Sequence, residues 1–446
     1  MATKSTVAAG AAEAMFVQAA GLFAQSMQRN STLGRLSGPI PKGESSAANT
    51  LRRQSTSDLP IVKTVDLTRG KGDEVEFNFL QPVGAYPIMG SRMAEGKGVG
   101  MSYDKSHVRV NQARFPVDLG DTMTGLRSAV DYRRLGRPVA QSLMDAYMDQ
   151  SILVHMAGAR GFHDNIEWRL PVASHPLFAE MAVNPVMAPS RNRHYVATGG
   201  TTGANPTLSD GIKLFSGVAV ANSDMSGFQS TDVLNMDVVD AIRTTMESIA
   251  LPPPAVVIPG DVVAQDSPLR VLLVSPAQYH AFAQDKNFRQ FQANALARAA
   301  RAKNHPLFLG ECGLWNGILI MKMPKPIRFY AGDPIAYCTS DTSDTEAVTK
   351  VPAGFGTTHA IDRAILLGGQ ALAQAFGSAP DKAGGMPFFW SEKEFDHGDK
   401  RELLIGAIQG LSKVRWAVDQ GNGEKHITDH GIVVIDTAVS IIGARK

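Results

Sequence analysis

Cysteine is almost absent from this chain: Cys312 and Cys338 are the two in 446 residues. Neither has CxxC spacing or a neighbouring His pattern, so a disulfide scaffold and a zinc knuckle are both excluded as organising principles. Excess charge is also absent, because 44 Lys+Arg face 42 Asp+Glu for a formal net charge of +2. That balance argues against a protein whose main task is gripping a phosphate backbone. No run of eighteen apolar residues occurs, so no membrane partner is expected. The small apolar residues after Lys4 are interrupted by Glu13, Gln18 and Gln25, so export is not expected either.

Motifs of catalysis are missing too. There is no G-x-S-x-G elbow and no H-E-x-x-H pair. The stretch from Gly90 to Gly98 (GSRMAEGKG) invites a phosphate-loop reading, but five residues separate Gly90 from Gly96 and Gly98 follows Lys97 where a Ser or Thr is needed. A flexible contact loop is the better reading. Asp396, His397 and Asp399 in EFDHGDK read as a solvated turn rather than a metal site. The pairs His163/Asp164 and His359/Asp362 read as structural neighbours. Cys312 lacks a His partner and reads as an inert thiol beside Trp315, a core anchor. No catalytic residue, cofactor or metal is therefore assigned.

What is present is length, and 44% hydrophobic residues with which to fill two or three domains. Met15, Phe16, Ala19, Leu22, Phe23 and Met27 recur at helical spacing, predicting an amphipathic helix over 11–28 whose apolar face needs a partner. The following Ser37–Pro60 text, rich in Ser, Gly, Pro and Arg, reads as an extended arm held by something else. Arg52 and Arg53 within it suit acidic groups on a neighbouring molecule better than DNA.

Alternation over Glu74–Phe79 and His107–Asn111 predicts two strands flanking a long Gly-rich connection, a protruding hairpin whose tip is too long for a tight turn and reads as functional. That tip carries Arg92, Glu95 and Lys97 as candidate contacts. Leu135, Val139, Leu143, Ala146, Tyr147, Ile152, Leu153 and Val154 predict a long helix ending near Gly158, with Pro138 placing its start at Arg137. Residues 162–230 read as extended loops.

Beyond them the pattern predicts a helix over Met236–Leu251, a buried strand Val271–Val274 and a helix opened by Pro276. Strands at Ile318–Met321, Ile365–Leu367, Leu403–Ile408, Val414–Val418 and Ile432–Ile435 follow. Helices and strands are segregated, which favours α+β.

The ordered series MQRNSTLGRLSG, LPIVKTVDLTRGKGDEVEF, PVGAYPIMGSRMAEGKG, HMAGARGFHDNIEW, HPLFLGECGLWNGILIMKMP and FFWSEKEFDHGDKRELLIGAIQGLSKVRW resembles the coat-protein family of N-four-like and related tailed phages, over nearly the whole chain. The resemblance implies the Hong Kong 97-like α+β fold. It assigns an N-terminal arm to 1–60, an extended hairpin loop to 61–118, a peripheral domain with the spine helix to 119–235 and 385–446, and an axial domain to 236–384.

It further implies a major capsid protein assembling as hexamers and pentamers in the host bacterial cytoplasm and residing in the virion. Portal, scaffold and decoration proteins are the implied partners, and packaged DNA an unspecific neighbour. Phe16, Phe23, Arg52, Arg53, Arg92, Glu95 and Lys97 are the candidate inter-subunit contacts. Some members of the fold join a hairpin Lys to an Asn covalently, but nothing here matches a motif for that, so Lys97 and Lys105 are not assigned to it. Two alternatives stay open: an accessory protein that binds the shell, and an enzyme with an unrecognised site.

Overall fold

The computed structural model describes residues 32–38, 59–64, 73–80, 87–98, 103–123, 132–198, 211–215, 228–249, 251–258, 268–284, 293–295, 297, 313–377, 387–419 and 424–442. The predicted helix over 11–28, with Phe16 and Phe23, most of the arm, with Arg52 and Arg53, and Cys312 lie outside them.

Two β-sheets and a long helix build the core. The larger sheet has eight strands. Six run side by side from Ile212–Leu214 through His194–Ala197, Ile432–Ser440, His359–Leu367 and Arg270–Val274 to Ile318–Lys322; Gly313–Trp315 closes that edge and Arg328–Phe329 pairs with His359–Leu367. Alternate residues face opposite ways along each strand. Val271 and Leu273 accordingly join one apolar cluster, while Leu272 and Val274 join another with Val238, Ile242, Met246 and Phe282 from two helices. Burial on both faces explains why VLLV and IVVI read as unbroken apolar runs.

Those two helices are Met236–Ser248, capped by the Asn235 side chain accepting from the Val238 N–H at 2.9 Å, and Pro276–Ala283, opened by a reciprocal Ser275–Gln278 capping box with proline in the first turn.

The second sheet is organised around one fourteen-residue strand, Lys400–Lys413. Asn111–Asp121 pairs along one edge; Phe388–Phe395 and Leu372–Phe376 follow one another along the other, with Ile61–Thr64 beyond. The spine helix Tyr132–Ala157 lies on this sheet and buries Ala140, Met144, Tyr147, Met148 and Ile152 in the cluster that holds Phe376, Leu403, Ile405 and Leu411.

Four sequence expectations are corrected. The spine helix begins at Tyr132, not Arg137, and carries Pro138 inside it. A proline there forfeits one backbone hydrogen bond and costs roughly 3 kcal/mol, which packing over the rest of a 26-residue helix offsets. Its buried row starts later than expected: Leu135 and Val139 are 51% and 50% exposed, whereas Tyr147, Ile152, Leu153 and Val154 of the same row are buried. The predicted strand His107–Asn111 is a junction, since one strand ends at Arg109 and the next starts at Asn111. Finally, the stretch read as loops, 162–230, contributes His194–Ala197 and Ile212–Leu214 to the large sheet, where His194, Tyr195 and Val196 pair in parallel with Val434, Ile435 and Asp436. Strands from both ranges first assigned to separate domains thus share one sheet.

A buried polar joint locks helix to sheet. Arg363 and Asp436 stand directly opposite on neighbouring strands, and both are 0% exposed. The guanidinium donates twice to the carboxylate, Nε to Oδ1 at 2.8 Å and Nη2 to Oδ2 at 2.9 Å, and its Nη1 donates to the Ala157 carbonyl at 3.0 Å. A cation therefore terminates the spine helix at its negative end. His194 lies 2.8 Å from Asp436 and stacks on Phe215 at 4.0 Å. Burial alone would raise the Asp436 pKa, but the attraction of Arg363 and His194 outweighs it and holds the carboxyl well below its ordinary range.

Candidate subunit interface

The hairpin ribbon pairs Glu74–Leu80 with Tyr103–Arg109 over seven residues, Glu74 opposite Arg109 and Leu80 opposite Tyr103. Exposed cross-strand ion pairs, Lys105–Glu76 at 2.7 Å and Arg109–Glu74 at 2.9 Å, reinforce the register at small energetic value. Lys105 is thereby occupied within its own ribbon.

Beyond the Leu80–Tyr103 end lies the tip, where every residue from 87 to 98 is exposed. Gly90 and Gly96 take left-handed φ of 67° and 75°, which lets the loop turn back on itself. The same segment displays Ile88, Met89 and Met93 at 39%, 70% and 67% exposure. Single exposed apolar residues are ordinary, but three within six residues around Arg92, Glu95 and Lys97 make the tip's exposed surface amphipathic. Met supplies an unbranched, adaptable chain suited to such contacts. The three charged residues singled out in the sequence share this one tip.

The root of the ribbon is held by residues that sequence reasoning did not single out. Val183 adopts φ 68° and ψ −59°, a conformation that β-branched residues rarely take. That turn aims Asn184 at the strand junction. Its Oδ1 accepts from the Arg109 N–H at 2.9 Å, and its Nδ2 donates to the carbonyls of Arg109 and Leu411, each at 2.9 Å. One amide thus stands in for a missing strand partner at the place where the ribbon leaves the sheet.

The spine helix fixes the turn from below. Tyr147 donates to the Met181 carbonyl at 2.6 Å, and His155 Nε2 donates to the Ala182 carbonyl at 3.0 Å. On the other side Val75 and Val108 pack with Ala373, Ala375, Trp416 and Val418, and the Asp104 carboxylate accepts from the Ala417 N–H at 2.6 Å. Helix, turn, sheet and ribbon form one connected support.

Burial within this support has a pH consequence. Desolvation pushes the His155 pKa down to about 4, with the Ala182 bond opposing and Lys413 adding to the fall. The unfolded chain takes up a proton near 6.5, so His155 contributes its full stability above that pH and loses it progressively as pH falls toward 4. The loss amounts to roughly 3 kcal/mol. Expected is a thermal midpoint that falls between pH 6.5 and 4 and falls less steeply in a His155→Gln chain, whose amide can still donate to Ala182. Parallel pH profiles of the two chains would refute the assignment.

The other residues weighed in the sequence have structural partners. His163 Nδ1 lies 3.0 Å from the Tyr330 hydroxyl, and Asp164 pairs with Arg160 at 2.9 Å. Asp362 is buried and accepts two bonds from Arg328, at 2.7 and 2.8 Å. Trp315 is half-buried and donates to Asp240 at 2.9 Å. Asp396 and His397 form an exposed turn, and among the described residues no cluster of His, Cys, Asp and Glu has metal-binding geometry. Likewise, no described helix is long and apolar enough to cross a membrane.

Comparison with known proteins points the same way. A family model described as "Phage capsid protein" matches residues 6–441. No curated protein sequence matches. Among solved structures, the capsid of Ralstonia phage GP4 superimposes with a TM-score of 0.64 at 22% identity, covering 86% of this chain and 88% of that one. The capsid asymmetric unit of cyanophage Pam1 gives 0.54 at 13% identity, covering 91% and 95%. At these identities the likeness is one of fold, and it bears out the expected Hong Kong 97-like α+β architecture.

Proposed function

The chain belongs to the phage capsid protein family, as a major capsid protein that builds a phage head, and from that premise we propose that it closes into hexamers and pentamers enclosing double-stranded DNA. The observation that carries this reading is the rooted ribbon: a tip exposed from residue 87 to 98, apolar in part, at the end of a stem anchored to both the sheet and the turn at Asn184. A soluble monomer gains nothing from such a projection. A shell subunit needs several separate contacts, each modest, whose closure into rings and a cage supplies avidity.

In this reading the axial domain centres on the eight-stranded sheet and its two capped helices. The peripheral domain is the spine helix with the Lys400–Lys413 sheet, and the hairpin loop spans Glu74–Arg109. Arg92, Glu95 and Lys97 set register across a subunit boundary more than they add energy. Phe16, Phe23, Arg52 and Arg53 serve as further contacts of the arm. The role is structural, with no catalytic step; assembly takes place in the host bacterial cytoplasm, with scaffold, portal and decoration proteins as partners and DNA as an unspecific neighbour.

The test is electron microscopy with light scattering on the chain expressed alone and together with its neighbouring phage genes, across salt and concentration. Shells, sheets or ring-shaped capsomers are expected. A monodisperse monomer or dimer under every condition would overturn the reading.

A further inference from the structure

Buried positive charge collects at one end of the large sheet. Among the described residues five arginines are at most 8% exposed: Arg160, Arg193, Arg270, Arg363 and Arg415. Three of them reach a carboxylate, Arg160 at Asp164, Arg363 at Asp436 and Arg415 at Asp429. Arg193 and Arg270 reach only backbone carbonyls. Arg193 closes the turn Arg191–Arg193 ahead of strand His194–Ala197, and Arg270 opens strand Arg270–Val274. Each stands two residues before a member of the cluster that also holds Val238, Ile242 and Met246 of helix Met236–Ser248, Tyr195 in one case and Leu272 in the other. Alternation along the strands therefore puts both arginines on the helix side of the sheet.

Just past that helix the chain meets both guanidiniums. Arg193 donates from Nε to the Asp429 carbonyl at 3.3 Å and from Nη2 to the Leu251 carbonyl. Arg270 donates from Nε and Nη2 to the Pro253 carbonyl, at 3.2 and 3.0 Å. A proline run offers carbonyls and no N–H, and the end of a helix favours cations, so arginines suit the place. Carbonyl dipoles do not neutralise two whole charges, however, and in both residues Nη1 is buried with no acceptor. The carboxylates that act on them are engaged elsewhere. Asp429 accepts from Arg415 at 2.7 Å, Lys413 at 3.1 Å and the Ser190 N–H at 2.9 Å, while Glu247, 55% exposed, pairs with Arg243 at 2.6 Å. Burial pulls the Arg193 pKa down to about 10; Tyr195 and Asp429 oppose that fall and the Arg270 charge adds to it. Burial likewise lowers Arg270, with Arg243 adding to the fall and Glu247 opposing it.

We propose that Arg193 and Arg270 hold one compact inorganic anion of the halide class through their Nη1 groups, where the chain leaves helix Met236–Ser248 and crosses the large sheet. A buried charge without a counter-charge, and a buried donor without an acceptor, each cost stability that an anion restores. Water would satisfy the N–H groups and leave the charge. The two Nη1 groups offer about four N–H donors, fewer than the lone pairs of a phosphate demand, whereas a spherical monovalent ion needs no directional set. Shielding from solvent on this scale also selects a small ion over an organic one. The anion would fix the stretch Leu251–Pro254, whose last carbonyl already accepts from the Gly369 N–H at 3.0 Å, between helix and sheet. The site lies within one folded chain, so it stands apart from the coat reading.

The test uses the full, unassembled chain and chloride itself. Thermal unfolding is followed across a roughly hundredfold range of chloride, with gluconate, an anion too bulky for the site, holding the ionic strength constant. The chain is compared with Arg270→Gln, which removes one of the two cations, and with Lys350→Gln, which removes an exposed one. Crystals of the unsubstituted chain grown in bromide then locate the ion by its anomalous scattering, a measurement that needs no variant to fold.

Expected is a midpoint that rises by about 3 °C with chloride in the unsubstituted chain and in Lys350→Gln, and by a third of that or less in Arg270→Gln. A bromide peak should lie within contact of both Nη1 atoms. A midpoint indifferent to chloride would overturn the proposal in favour of water as the acceptor. An equal rise in Arg270→Gln, or bromide peaks on exposed lysines and arginines with none at Arg193 and Arg270, would overturn it in favour of surface screening. Each of these results leaves the coat reading untouched, and failure of the chain to form shells leaves the anion site untouched.

Discussion

Replacing Arg363 by methionine should destabilise the chain by about 3–5 kcal/mol, the usual cost of breaking a buried ion pair from one side. Asp436 would keep its buried carboxylate and lose its two guanidinium hydrogen bonds, and the Ala157 carbonyl would lose its donor at the end of the spine helix. His194, 2.8 Å away, can replace part of the attraction only by taking up a proton, which burial opposes first and Arg363 no longer would. Against a typical total of roughly 5–15 kcal/mol, the loss is enough to leave much of the chain insoluble. The companion chain Arg363→Met with Asp436→Leu should recover more than half of the loss, because an apolar pair of similar volume needs no partner. Urea unfolding of the unassembled chains measures both. A single-variant loss under about 1 kcal/mol would mean that the joint is solvated, not buried.

A Gly410→Val chain should fold its large sheet and fail to build shells. A Cβ at position 410 would collide with the Arg109 carbonyl oxygen and stand 2.8 Å from its carbon, so backbone must move. That oxygen also receives the Asn184 amide, and Arg109 is the last residue of the ribbon. Eviction therefore releases the root, at about 3 kcal/mol for an overpacked site. Expected are rapid proteolytic cleavage between residues 80 and 103 and loss of shells in micrographs. Gly354→Ala is the control, since nothing lies within 4 Å of a Cβ there and φ is ordinary. Normal shells from Gly410→Val would show that the close approach is dispensable.

Local pattern carried much of this architecture because it depends on neighbours in sequence. Buried strands were legible in VLLV and in IVVI, where burial on two faces demands continuous apolar residues. The helix opened by Pro276 was legible because a proline suits a first turn and nowhere later. The hairpin followed from two alternating strands around a connection too long to be a turn. Pro138 misled for the same local reason: its rule holds for an isolated helix and yields to packing along the spine helix.

By itself, then, the sequence determined the α+β class and the Gly-rich hairpin tip with Arg92, Glu95 and Lys97, both properties of short windows and composition. The tertiary structure alone decided which long-range pairs meet. Asn184 reaches Arg109 across 75 residues and Leu411 across 227, and Arg363 reaches Asp436 across 73. An Asn, an Arg and a Gly look alike wherever they occur in a sequence; what makes Asn184 a pin, Arg363 a joint and Gly410 a passage is the backbone that folding brings against them, where an unpaired polar group or one added methyl group has nowhere to go.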